Sequence, residues 1–323
     1  MKSAIIGLSG PRLTAPEAAL LKTHSPGGVI LFARNISNPV QLAALMAAIK
    51  TELPAGSILM IDEEGGRVAR LRPPHWRAHP SAARLAQAGT RAAFLSGALI
   101  GLEAAASGFN VVAAPVLDRT VLGASDAIGD RAFGPDPHLV ARFGRAQADG
   151  LLAAGIIPVM KHLPGHGAAL VDSHHTLPVV ERQNEDADLL PFIANADLPW
   201  AMTAHILYPA WDRERPATLS RTVIENIIRG RIGFAGVLVS DDLAMHALKG
   251  EPVDRALAAL QAGCDLALYC AGDLAPTAAL LESCPPISGK TAERLAIGRD
   301  WAASRKLTLD AETLAAERDR LLA

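Results

Sequence analysis

At 323 residues the chain can bury a large core as one α/β barrel or divide into two smaller domains. Half of its residues are hydrophobic and 20% are charged, and a formal net charge of −2 excludes polyanion binding as its main role, so nucleic acid is not an expected partner. The three cysteines, Cys264, Cys270 and Cys284, fit no zinc spacing and, being odd in number, no disulfide framework, which points to a reducing compartment.

The N-terminal MKSAIIGLSGPRL has too short an apolar run for a secretory leader. No later stretch approaches the roughly 20 apolar residues of a membrane helix. A cytoplasmic protein without membrane contact is expected. Ser3–Leu8 reads as a strand stopped by Ser9-Gly10-Pro11, residues 15–23 as a helix, and Gly28–Phe32 as a second strand. A helix over 39–51 leads to the strand Ile58–Asp62, and an Ala-rich helix over about 82–107 leads to Asn110–Ala114. Residues 137–154 form the next helix, and 156–160 the next strand. A helix near 186–197, a strand over 200–204, a helix over 220–231, the strand Gly236–Ser240, a helix over 251–263 and the strand Leu266–Cys270 complete the series.

Eight short apolar strands, most followed by a helix-length segment, predict a single closed (β/α)8 barrel. An open doubly wound sheet is the alternative, but no Gly-rich phosphate loop follows the first strand. Charged helix formers after Lys290 predict C-terminal helices over about 290–323, packed outside a barrel that spans the whole chain as one domain.

In a barrel, residues just past the strand ends converge on one face. Ionisable residues recur there. Arg34 and Asn35 follow strand two; Asp62, Glu63, Glu64, Arg67 and Arg70 follow strand three; Asp118 and, later, Arg131 follow strand four. Strand five leads into KHLPGHGAALVDSHHTLP, which holds Lys161, His162, His166, Asp172, His174 and His175; His205 follows strand six, and Asp241 and Asp242 follow strand seven.

Asp241 and Asp242 read equally as a helix cap and its neighbour or as catalytic carboxylates, but after the apolar GVLVS one of the two should point into the barrel mouth. Asp172 and His174, two residues apart, face the same way in an extended loop. There a carboxylate would fix the imidazole tautomer and raise its basicity, as a general acid/base requires. An ordinary surface loop carries the same residues. Asp62, Lys161 and the arginines suit a clamp on a polyhydroxylated ligand, since carboxylates accept from hydroxyls and cations donate to oxygens. A structural ion-pair network explains them as well. His162 and His205 read equally as core histidines at strand ends.

Taken together, KHLPGHG with Asp-Ser-His beyond it, IDEEGGRVARLR, LFARN, APVLD and VSDDLAM resemble the β-N-acetylhexosaminidases of glycoside hydrolase family 3, over about residues 28–272. The resemblance is strongest to the compact bacterial cytoplasmic enzymes of peptidoglycan recycling. It implies a TIM barrel and removal of N-acetylglucosamine from N-acetylglucosaminyl-1,6-anhydro-N-acetylmuramic acid and its peptides, with retention and without metal or organic cofactor. It also implies Asp241 as nucleophile, His174 as acid/base oriented by Asp172, and Asp62, Arg70, Arg131, Lys161 and His162 as ligands of the terminal sugar. Arg131 rests on the short AIGDRAFG. Leu163 stands where the family commonly has phenylalanine.

Two rival readings come from other classes. A metal-dependent barrel hydrolase would use His162, His166, His174, His205 and Asp241 as ligands, yet the first strand lacks the His-x-His pair of such enzymes. A non-catalytic sugar-binding protein would be expected to lack Asp241 or His174. A monomer acting on a small muropeptide or amino sugar is expected.

Overall fold

The structure, a computed structural model, describes residues 1–173, 176–181 and 185–323. Eight parallel strands close into a barrel in sequence order: β1 (Lys2–Gly7), β2 (Pro26–Leu31), β3 (Ile58–Ile61), β4 (Val111–Val112), β5 (Ile157–Leu163), β6 (Trp200–Thr203), β7 (Val237–Asp242) and β8 (Leu266–Tyr269), with β8 pairing back onto β1. β2 to β6 and β8 are buried along their whole length, which is why they read as continuous apolar runs rather than alternating ones.

The outer helices start where the sequence supplies caps. Thr14 and Glu17 form a reciprocal capping box, and Asn38 and Asp136 accept first-turn N–H groups just before Pro39 and Pro137. The predicted helix over 82–107 is two helices, Ala82–Ala88 and Thr90–Ala106. Gly89 parts them with a φ of 92°, a conformation outside the helical region that glycine adopts without a side-chain clash.

Helix Gly289–Arg305 packs beneath β6, where Gly298 lies against the Trp200 ring. Helix Ala311–Leu322 sets Leu314 and Ala315 on Leu95, Ala98 and Leu99. Its buried Arg318 donates to His79 Nδ1 at 3.2 Å, while His79 Nε2 lies 3.2 Å from Glu103. The C-terminal helix thereby supports the long β3 loop, which carries Arg70. No helix among the described residues is long and apolar enough to cross a membrane.

Candidate active site

The strand ends form one pocket, and Asp62, Arg70, Arg131, Lys161, His162, Asp172 and Asp241 all line it. They come from β5, β7 and the loops after β3, β4 and β5, so closure of the barrel brings them together. His174 lies outside the described residues, as does its neighbour His175.

β5 runs farther than the predicted end at 160, so Lys161 and His162 belong to the strand itself. Consecutive strand residues ordinarily face opposite sides, yet both line the pocket. The register between β5 and β6 shifts between Met160 and Leu163, which breaks the alternation there. The same irregularity occurs between Val239 and Asp242 of β7. Asp241 and Asp242 consequently both line the pocket, where regular alternation predicts only one.

One wall is an ion network. Lys161, 2% exposed, places Nζ 2.7 Å from Asp62 Oδ1 and 2.6 Å from Glu64 Oε1. Arg70 Nη2 lies 3.3 Å from Asp62 Oδ2, and Arg131 grips Glu64 with two bonds of 2.8 Å. Burial pushes the carboxyls of Asp62 and Glu64 up, but the cations outweigh it. Lys161 and Arg70 hold Asp62 below the ordinary range, and Lys161 and Arg131 bring Glu64 to about 2. Burial likewise opposes the charge on Lys161, but Asp62 and Glu64 raise its pKa on balance.

Glu63, 1% exposed, behaves differently from both neighbours. Its Oε2 accepts the N–H groups of Arg70 at 2.7 Å and Leu71 at 2.9 Å, fastening the loop that presents Arg70. Burial pushes its carboxyl up to about 7.

Behind His162 sits Asp118, 1% exposed, whose Oδ2 lies 2.6 Å from His162 Nδ1. A carboxylate there accepts an Nδ1 proton and leaves Nε2, 3.5 Å from Arg131 Nη2, as the acceptor toward the pocket. Asp118 Oδ1 also accepts the backbone N–H of His166 at 2.5 Å. Burial, followed by the nearby His162, lowers His166 to about 4, so its imidazole is neutral at neutral pH.

At β7, Asp241 Oδ1 accepts the N–H of Asp242 at 2.8 Å, and Asp242 Oδ1 accepts the N–H groups of Ala244 and Cys270, each at 2.9 Å. Burial raises the Asp242 carboxyl, and Asp241 also contributes. Between the two readings of His205 the structure selects the core histidine. It is fully buried, with Nδ1 2.7 Å from Thr218 Oγ1 and Nε2 2.9 Å from Asp242 O, and both nitrogens are occupied. Arg34 and Asn35 are also structural: Arg34 donates to Leu8 O and Cys270 O, and buried Asn35 donates to Leu8 O and Gly10 O. Among the described residues no three His, Cys, Asp or Glu side chains are arranged to hold a metal ion.

The segment carrying Asp172 is not extended there, because Thr176 N–H donates back to Asp172 O at 3.1 Å. Sequence reasoning also left Glu63, Glu64, Asp118 and His166 outside the proposed site. All four stood among the ionisable residues past the strand ends, but no spacing rule separates a residue that touches a ligand from one that holds it.

Comparison with known proteins agrees with the barrel fold. The sequence profile of the glycosyl hydrolase family 3 N-terminal domain matches residues 4–291. The β-hexosaminidase of Methylococcus capsulatus is 42% identical over 286 residues, covering 85% of this chain and 84% of that protein. That of Xylella fastidiosa is 40% identical over 284 residues, 84% of each. The crystal structure of NagZ from Neisseria gonorrhoeae in complex with N-trifluoroacetyl-D-glucosamine superposes with a TM-score of 0.87 at 31% identity, covering 100% of this chain and 98% of that one. A family profile spanning most of the chain, close relatives along nearly their whole length and a shared barrel place this chain in glycosyl hydrolase family 3, among its β-hexosaminidases.

Proposed function

We propose that the chain is a retaining exo-β-N-acetylglucosaminidase of cell-wall recycling. It would release terminal N-acetylglucosamine from N-acetylglucosaminyl-1,6-anhydro-N-acetylmuramic acid and its peptide-bearing forms, as a cytoplasmic monomer. The observation that carries this reading is the convergence of Asp241 with the Asp62–Lys161–Glu64–Arg131 network and His162 around one pocket. The amino-sugar ligand of the gonococcal structure supports the choice of sugar.

In this reading Asp62, Arg70, Arg131, Lys161 and His162 bind the hydroxyl and acetamido groups of the terminal sugar. An Asp241 carboxylate oxygen attacks the anomeric carbon while the bond to the leaving oxygen breaks, giving a glycosyl ester. His174, oriented by Asp172, gives its proton to the leaving oxygen. It then takes a proton from water as that water attacks the anomeric carbon and returns Asp241 as a free carboxylate. An imidazole in this role adds no second negative charge beside Asp241, and its reference pKa of about 6.5 suits proton transfer near neutral pH. The steps use side chains and water alone.

The test is release of nitrophenol from the 4-nitrophenyl β-glycosides of N-acetylglucosamine and glucose, with and without EDTA. Chelator-insensitive turnover of the N-acetyl substrate alone supports the reading, whereas loss of activity with EDTA favours a metal hydrolase. NMR of the first-formed anomer tests retention, and mass spectrometry of digested muropeptides tests the aglycone.

A further inference from the structure

The proposed general acid follows directly on Asp172 and Ser173, which line the pocket, and Ser173 makes a buried contact there. After β5 the backbone is pinned twice. Gly167 packs so closely on the neighbouring β4 loop that a Cβ there would lie 1.9 Å from Arg119 O, and the His166 N–H is bound by Asp118. The His166 ring therefore stands on a fixed base.

Its Nε2 lies 3.1 Å from Ser173 Oγ, with His166 4% and Ser173 3% exposed. His166 Nδ1 has no hydrogen-bond partner among the described residues, so Ser173 is the polar partner of the ring. Ser173 directly follows Asp172 and directly precedes residue 174, and it lines the same pocket as Asp241.

Building on the reading above, we propose that Ser173 and His166 are positioning residues: their hydrogen bond holds Ser173, and with it Asp172, at the pocket, so proton donation to the leaving group depends on a bond that neither acid/base partner makes. The neutral state of His166 suits it, since an uncharged imidazole shares one proton with a hydroxyl in either direction. A buried neutral hydrogen bond biases the seated arrangement by roughly tenfold.

The test measures kcat/KM for aryl N-acetyl-β-glucosaminides whose leaving phenols range from dinitrophenol, which needs no proton, to phenol, which does. Ser173→Ala is expected to lower kcat/KM for the phenyl substrate roughly tenfold, with a much smaller loss for the dinitrophenyl one, steepening the dependence on leaving-group pKa. His166→Ala should do the same, and His166→Gln, which keeps a donor near Nε2, should recover part of the loss. The double variant should be no slower than the slower single one. Ser173→Thr and thermal unfolding of each variant separate positioning from misfolding.

Equal losses across the leaving groups, or losses that multiply in the double variant, would overturn the contact while His174→Ala still shows the steeper dependence. A His174→Ala enzyme without that dependence would overturn the acid assignment and the contact with it. Wild-type enzyme inactive on every N-acetylglucosaminide would overturn the functional reading itself.

Discussion

The two walls of the pocket are built on different electrostatic plans. Between β3 and β5, Asp62, Glu64, Lys161, Arg70 and Arg131 form ion pairs between 2.6 and 3.3 Å. At the end of β7, the carboxylates of Asp241 and Asp242 take backbone N–H groups and are half-buried. The first wall is a compensated network in which each charge justifies the burial of another. The second is an anchor that leaves its carboxylates beside the space a ligand enters. The contrast separates residues whose loss harms the fold from those whose loss harms only the chemistry.

Asp241→Ala should give the largest effect on turnover, a fall in kcat of roughly 10³-fold or more. Its unfolding midpoint should stay near wild type, because water entering through the pocket can satisfy the amide of Asp242. Retained activity in that variant would place the nucleophile elsewhere. Lys161→Met reverses the balance, leaving Asp62 with Arg70 alone and Glu64 with Arg131 alone. Denaturant unfolding should show a loss of about 1.5–3 kcal/mol, the range for lost hydrogen bonds to charged groups. A stability loss no larger than that of Asp241→Ala would erase the distinction between the walls.

Asp62→Asn keeps the shape and removes one charge. It should raise KM and lower kcat, with kcat/KM falling roughly 10- to 100-fold, as loss of a charged hydrogen bond implies. Unchanged kinetics would remove Asp62 from the sugar site.

The smallest effect concerns two adjacent carboxyls with opposite signs. Glu64 is lowered to about 2 from an ordinary 4.5, so its contribution to stability is present above about 4.5 and is lost as pH falls toward 2. Glu63 is raised to about 7 from 4.5, so the folded state holds its proton more tightly, and stability falls as pH rises from about 4.5 through 7. Unfolding of Glu63→Gln at pH 5 and pH 8 should therefore show a decline smaller than that of wild type by about 1–3 kcal/mol. Equal declines would mean that Glu63 titrates normally.

Much of the architecture was legible because a barrel strand is covered on both faces and reads as an uninterrupted apolar run, as in ILMID and GVLVS. Breaks in regular geometry were not legible. Alternation predicted one of Asp241 and Asp242 in the pocket, and the shifted register of β7 supplies both. The split at Gly89 was hidden because alanines on either side favour helix equally. His205 was ambiguous until Thr218 and the Asp242 carbonyl were seen to occupy its two nitrogens.

By itself the sequence determined the order of eight strands, the crowding of ionisable residues at their C-terminal ends and the motifs of the family, since local periodicity and residue chemistry need no third dimension. The tertiary structure decided which of those residues meet. Glu64 lies 67 positions before Arg131 and Asp118 44 before His162, and only closure of the barrel sets each carboxylate within 3 Å of its partner. It decided their charge states too, because the balance between burial and a neighbouring cation separates Glu63 from Glu64, identical residues one position apart.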